Sequence, residues 1–141
     1  MASEPFTLAD LARAVSMSVD DIRFYQDSGL LQPARRRLGR SGDVAFYPEH
    51  IERLKFIERA FVCGFTLEDI AALVDPFALV TCGDVSAVAT RRLEEMRRSG
   101  HGHTLAAARL AQLDESCAKV GPRRNCTILK ELSRPGRWDV A

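Results

Sequence analysis

The chain has 141 residues, of which 46% are hydrophobic, 28% charged and 7% aromatic. This is a globular composition that excludes disordered, collagen-like and membrane classes and leaves room for one modest domain or two small helical pieces. With 20 Lys and Arg against 19 Asp and Glu the formal net charge is only +1, so a polyanionic partner has to be met by a local basic patch. The longest uncharged stretches, such as 76–83, fall far short of the roughly 20 apolar residues a membrane helix needs. The opening Met-Ala-Ser-Glu-Pro has neither a basic n-region nor an apolar h-region. A cytoplasmic protein with no membrane partner is expected.

The first helix is expected from about Thr7 to Val15, with Leu8, Leu11, Ala12 and Val15 on one buried face. After a short turn at Ser16 and Met17, Ser18-Val19-Asp20-Asp21 reads as a capping box with Asp21 reaching back, and a second helix runs to about Ser28, where Gly29 stops it. Two short helices joined by a tight turn form a helix-turn-helix whose second member enters a DNA major groove. Arg35, Arg36, Arg37 and Arg40 then precede a Gly-rich turn and an apolar strand at 44–47. Two short strands joined around Gly39–Asp43 carry these guanidinium groups as a basic wing toward phosphates beside the groove.

Pro48 opens the next helix, which runs to about Cys63 and buries Ile51, Leu54, Ile57 and Phe61. Gly64 ends it, and Thr66-Leu67-Glu68-Asp69 is a second capping box opening a short helix through Val74. From about Gly83 to Ser116 the pattern reads as one long charged helix with an apolar stripe of Leu93, Met96, Ala107, Leu110 and Leu113. The stripe slips register around Ser99-Gly100-His101-Gly102-His103, where glycine costs about 1 kcal/mol per residue against Ala, so a kink or break there stays open. A lone helix of this length needs a partner chain or the N-terminal domain. A loop from Cys117, then Cys126 and a short apolar turn with Ile128, Leu129 and Leu132, complete the chain, with residues beyond Ser133 expected to fray.

Four cysteines, at 63, 82, 117 and 126, make no CxxC pair, so a zinc knuckle local in sequence is disfavoured and any shared ion has to be gathered by the fold. Cys63, just before Gly64, reads as a buried core thiol. His101 and His103 read as exposed. No Ser/His/Asp or Cys/His arrangement and no paired carboxylates suggest catalysis, and a non-enzyme is expected.

Ile-Arg-Phe-Tyr at 22–25 followed by Gly29-Leu30-Leu31, a basic wing ending in Tyr47, and Gly64-Phe65-Thr66-Leu67-Glu68-Asp69-Ile70, in this order, resemble the MerR family of bacterial transcription regulators over residues 7–133. Cys82, Cys117 and Cys126 resemble the three thiolate ligands of its mercury-responsive branch and of that branch's lead and cadmium relatives. The family's monovalent copper sensors lack the first cysteine, and its zinc sensors usually carry a further cysteine where this chain has Ala118. Three departures are visible: Ser16 stands where the turn usually has Gly, Ala45-Phe46 where the wing usually has Arg before its final Tyr, and Gly100 and Gly102 inside the expected dimerisation helix.

The resemblance implies a mainly α fold, with a winged helix-turn-helix DNA-binding domain over 1–75, a linker and long antiparallel dimerisation helix over 76–116, and a metal-binding loop and tail over 117–141. It implies DNA contacts by Arg13, Ser18, Arg23, Phe24, Tyr25, Arg35, Arg36, Arg37, Arg40 and Tyr47. It also implies a homodimer on a palindromic double-stranded promoter, served by RNA polymerase, with Hg(II) as the effector and Pb(II) or Cd(II) as alternatives. If the residues between Cys82 and Cys117 are one helix, they span about 50 Å. The sulfurs then meet only across an antiparallel dimer, Cys82 of one chain with Cys117 and Cys126 of its mate, and two sites form per dimer. Two rival readings remain: a regulator whose thiols sense oxidants or electrophiles without metal, and a helical interaction protein that docks through the long helix.

Overall fold

The computed structural model describes residues 6–32, 35–36 and 44–134, in two compact units divided between Phe56 and Ile57. In the first unit, α1 (Leu8–Val15) is opened by a complete capping box. The Thr7 hydroxyl accepts the Asp10 N–H and the Asp10 carboxylate accepts that of Thr7. α2 (Val19–Asp27) is capped by Ser18 alone, whose Oγ accepts the Asp21 N–H at 3.1 Å. The reciprocal bond expected of Asp21 does not form, although Asp10 makes it from the same position of α1.

Between the helices the chain turns at Ser16 in the left-handed region (φ 55°). There the Met17 N–H reaches the Ala12 carbonyl at 3.1 Å and that of Ser16 the Arg13 carbonyl at 3.4 Å, the paired closure of a helix C-terminus that normally carries Gly. Leu11, Ala12, Val15, Ile22, Leu31, Phe46 and Leu54 form this unit's core; each large member contributes about 1.5–3 kcal/mol. β1 (Arg35–Arg36) pairs antiparallel with β2 (Val44–Ala45) in the register Arg35 to Ala45 and Arg36 to Val44, and Phe46 bridges Phe6. The expected turn with Arg37 and Arg40 lies outside the described residues. Where the family has Arg before its final Tyr, this chain inserts Phe46 into the core at 1% exposure.

α3 (Pro48–Val62) opens at Tyr47, whose N–H donates to Nδ1 of His50 at 2.9 Å. His50 thereby fills the place of a capping-box Glu. Leu54 and Ile57 are buried as expected, but Phe61 is exposed; Ala60 and Cys63 take its place inside. α4 (Leu67–Val74) begins with the Thr66–Asp69 capping box read from the sequence.

The single helix expected over 83–116 is two helices, α5 (Cys82–Arg98) and α6 (Leu105–Ser116). α5 stops because Gly100 adopts φ 83°, which an L-residue enters only at about 1–2 kcal/mol. With that turn made, the His101 N–H reaches the Met96 carbonyl at 2.7 Å and that of Gly100 the Arg97 carbonyl at 3.2 Å. Arg97 and Arg98 in the last turn suit the helix dipole, and Thr104 caps α6 by accepting the Ala107 N–H at 3.2 Å. α6 then packs back along α5. The Asp114 carboxylate holds the pair together, accepting from Ser86 at 2.7 Å and Thr90 at 2.8 Å. Folded this way, the stripe of Leu93, Met96, Ala107, Leu110 and Leu113 is buried within one chain, which accounts for the slip in its register.

A 3-10 turn (Arg123–Asn125) and α7 (Thr127–Ser133) complete the second unit. Arginines satisfy its carbonyls: Arg59 donates to Leu132 at 3.0 Å, Arg92 to Gly64 at 2.6 Å, and Arg123 to both Leu79 and Leu73. No described helix is long and apolar enough to cross a membrane.

Candidate metal centre and DNA-binding surface

The hairpin brings the first residue of α5 beside the last residues of α6. Cys82 follows Thr81, which shares a capping box with Asp84; Cys117 ends α6; Cys126 ends the 3-10 turn and opens α7. The C-terminal loop is held over the start of α5 by an isolated bridge between Thr81 and Pro122. The Cys82 N–H donates to Gly121 O at 3.0 Å and that of Arg123 to Val80 O at 3.2 Å. Gly83 permits this approach, since a Cβ there would stand 3.1 Å from the Lys119 carbonyl oxygen.

The three sulfurs lie within 4.8 Å of one another. Their residues are 2%, 6% and 0% exposed for Cys82, Cys117 and Cys126. This corrects the cross-chain expectation: the sulfurs meet inside one polypeptide because the intervening segment folds back at Gly100. A three-coordinate ion with bonds of about 2.3 Å holds its sulfurs about 4.0 Å apart, and a larger ion spreads them further, so the cluster fits three-thiolate coordination. Among the described residues the ligand group is these three cysteines, with no histidine or carboxylate in it.

The thiols are weakly tethered. Cys82 Sγ donates to Pro122 O at 3.4 Å, Cys117 Sγ lies 3.9 Å from Cys82 O, and the Lys119 N–H donates to Cys117 Sγ at 3.3 Å. Burial pushes the Cys126 thiol above its ordinary range; the N–H groups of Leu129 and Ile128 oppose the shift, and the neighbouring sulfurs of Cys117 and Cys82 add to it. A soft cation is the counter-charge that would hold such a buried sulfur group as thiolates. Cys63 is fully buried elsewhere in the second unit, with burial raising its thiol to about 11.

On the first unit, Arg13, Ser18, Arg23 and Phe24 are exposed, and Tyr25 and Tyr47 half-buried. Arg13 pairs with Asp10 on its own helix. Ser18 serves as the α2 cap, and Phe24 meets Tyr25 edge-on at 5.7 Å between centroids. Arg35 and Arg36 are placed through their backbone in β1; Arg37 and Arg40 fall outside the described residues. His101 and His103 are exposed in the α5–α6 turn, His101 Nδ1 lying 3.1 Å from Ser99 Oγ. Sequence reasoning missed His50, Gly83, Asp114 and Arg123. Only His50 carried a local signal, a side-chain acceptor three residues past the residue before Pro48; the partners of the others are remote in sequence.

The profile described as MerR HTH family regulatory protein matches residues 6–75, and that described as MerR, DNA binding matches residues 51–113. The mercuric resistance operon regulatory protein of Shigella flexneri is 28% identical over 130 residues, covering 92% of this chain and 88% of the relative. The HTH-type transcriptional regulator HmrR of Rhizobium leguminosarum bv. viciae is 30% identical over 114 residues, 79% of this chain and 85% of the relative. The crystal structure of the transcription regulator PbrR691 from Ralstonia metallidurans CH34 in complex with lead(II) superposes with a TM-score of 0.59 at 25% identity, covering 94% of this chain and 99% of that one. A helix-turn-helix with a paired-strand wing, followed by helices matched to the same family, fixes the assignment: the chain belongs to the MerR family of DNA-binding transcription regulators.

Proposed function

We propose that this regulator senses a soft metal ion, Hg(II) first and Pb(II) or Cd(II) as alternatives, through Cys82, Cys117 and Cys126. The observation that carries the reading is the gathering of three buried sulfurs within 4.8 Å. Thiolate-only donor sets select soft ions, and three donors with no fourth suit a trigonal ion better than tetrahedral Zn(II). The likeness to a mercuric resistance regulator and to a lead-bound regulator supports the same class of effector.

The reading places the protein as a homodimer on a palindromic promoter. The contacts it assigns to DNA are Arg13, Ser18, Arg23, Phe24 and Tyr25 from α1, the turn and α2, and Arg35, Arg36, Arg37, Arg40 and Tyr47 from the wing. Residues 1–75 read DNA, 76–116 pair the chains, and 117–141 with Cys82 take the ion, so each chain carries its own site. The bound ion ties the start of α5 to the loop after α6. It switches the protein only if one dimer conformation holds it more tightly than the other, and the favoured conformation distorts the promoter so that RNA polymerase engages it, deformation of DNA being the regulatory output.

The test is titration of the purified protein with Hg(II), Pb(II) and Cd(II), followed by thiolate-to-metal charge-transfer absorption and by counting reactive thiols. One equivalent per chain should develop the band and remove three thiols. An unchanged thiol count, with the same cysteines lost to oxidants or electrophiles, would replace the metal reading with the redox one.

A further inference from the structure

Beside the sulfur cluster lies an open cleft of about 460 Å³ lined by Arg123, Arg124, Cys126, Leu129, Lys130 and Ser133. Three of these six residues are cationic, and none is acidic. Arg123 is committed to the Leu73 and Leu79 carbonyls, but Arg124 and Lys130 are exposed and make no ion pair among the described residues. In a chain whose net charge is only +1, cations flanking a cleft that has a ligand cysteine in its wall are a local feature with a consequence for what enters. The volume suits a small organic molecule rather than a bare ion, and the charge selects an anion.

We propose that this cleft receives the metal as an anionic complex with low-molecular-weight thiols bearing carboxylates, and that Arg124 and Lys130 dock those carboxylates beside the sulfur cluster. The proposal rests on the three-cysteine reading and names the form in which that site is loaded. A soft divalent ion in the presence of small thiols is itself thiolate-bound, so loading is ligand exchange, not simple capture. The donor's thiolates leave the metal one at a time as protein sulfurs bind. Overall, a bis-thiolate complex and three protein thiols yield the tris-thiolate site, two released small thiols and one proton; two protein protons leave on the departing thiolates and no electron changes hands. Arg124 and Lys130 touch the carrier and bind no metal, so they are positioning residues for the exchange.

The experiment uses the full-length protein and stopped-flow absorption of the charge-transfer band, with mercury(II) delivered as its bis-complex of mercaptosuccinate (anionic), 2-mercaptoethanol (neutral) or cysteamine (cationic). Loading from the mercaptosuccinate complex should outpace the neutral donor by roughly tenfold at low salt, the lower end of electrostatic rate enhancement. The ratio should shrink toward one in 0.5 M salt, with the cationic donor slowest. In Arg124→Gln/Lys130→Gln the ratio should collapse to near one, and Lys130→Arg should keep it. Because the readout is a ratio between donors within one protein, a general loss of folding does not imitate the result. Equal rates for all three donors, or a ratio unchanged in the double variant, overturns the docking role while leaving the cysteine site standing. Absence of the band with every donor overturns the site and the docking role together.

Discussion

Whether an ion is held within one chain or between two is decided by mixing two inactive variants. Cys82→Ser and Cys117→Ser each remove one sulfur, and a serine hydroxyl does not replace a thiolate for a soft ion. If residues 83–116 were a straight helix, the two sulfurs would stand about 50 Å apart. Each site would then take Cys82 from one chain and the other two ligands from its mate; a heterodimer of the two variants would carry both lesions in one site and leave the second whole. With the sulfurs within 4.8 Å inside one chain, each chain of that heterodimer has a damaged site and none is whole. Differently tagged variants, co-expressed and purified through both tags, isolate the heterodimer, and mercury bound against excess small thiol gives the stoichiometry. The structure predicts no retained ion. An unsorted equal mixture distinguishes the cases too, at zero ions against about one quarter per chain for random pairing. One ion per isolated heterodimer would refute the hairpin as the site's architecture.

Asp114→Asn removes the charge that receives the Ser86 and Thr90 hydroxyls. With bonds to charged groups contributing about 1.5–3 kcal/mol, the substitution should lower the denaturant midpoint and weaken metal affinity, because Cys82 and Cys117 sit within about one helical turn of the clamp. Ser16→Gly relieves a left-handed residue at φ 55°. It should stabilise the first unit by about 0.5–1 kcal/mol, the strain released less the extra chain entropy of glycine, read by chemical denaturation. For Cys63, burial raises the folded-state value from 9.0 to about 11. The contribution of its neutral thiol is therefore full below pH 9 and is lost as pH rises toward 11, since the unfolded chain ionises first. The loss is about 2–3 kcal/mol at 1.36 kcal/mol per unit. Cys63→Ala should flatten that alkaline decline, and an unchanged slope would remove Cys63 as its source.

Local chemistry in the sequence determines much of this protein. Thr7, Ser18 and Thr66 announce helix starts because a hydroxyl before an apolar run satisfies the helix's first free N–H groups, and Gly29 and Gly64 announce helix ends. The helix-turn-helix and its wing strands are therefore legible residue by residue, while Cys82, Cys117 and Cys126 stand out only through the family resemblance. The hairpin is legible only in part. Arg97-Arg98-Ser99-Gly100 is a stop signal and Thr104 a start signal, but a continuous charged pattern with an apolar stripe is equally written by one helix seeking a partner.

Tertiary structure decides between those readings. Asp114 finds Ser86 and Thr90, Gly64 receives Met96 with its Sδ 3.1 Å from where a Cβ would stand, and Arg123 spans from the C-terminal loop to the carbonyls of Leu73 and Leu79. Each of these contacts joins residues 24 to 50 positions apart in the sequence. Periodicity within a single helix carries no information about such partners, so the gathering of the three sulfurs within one chain is decided by packing and not by pattern.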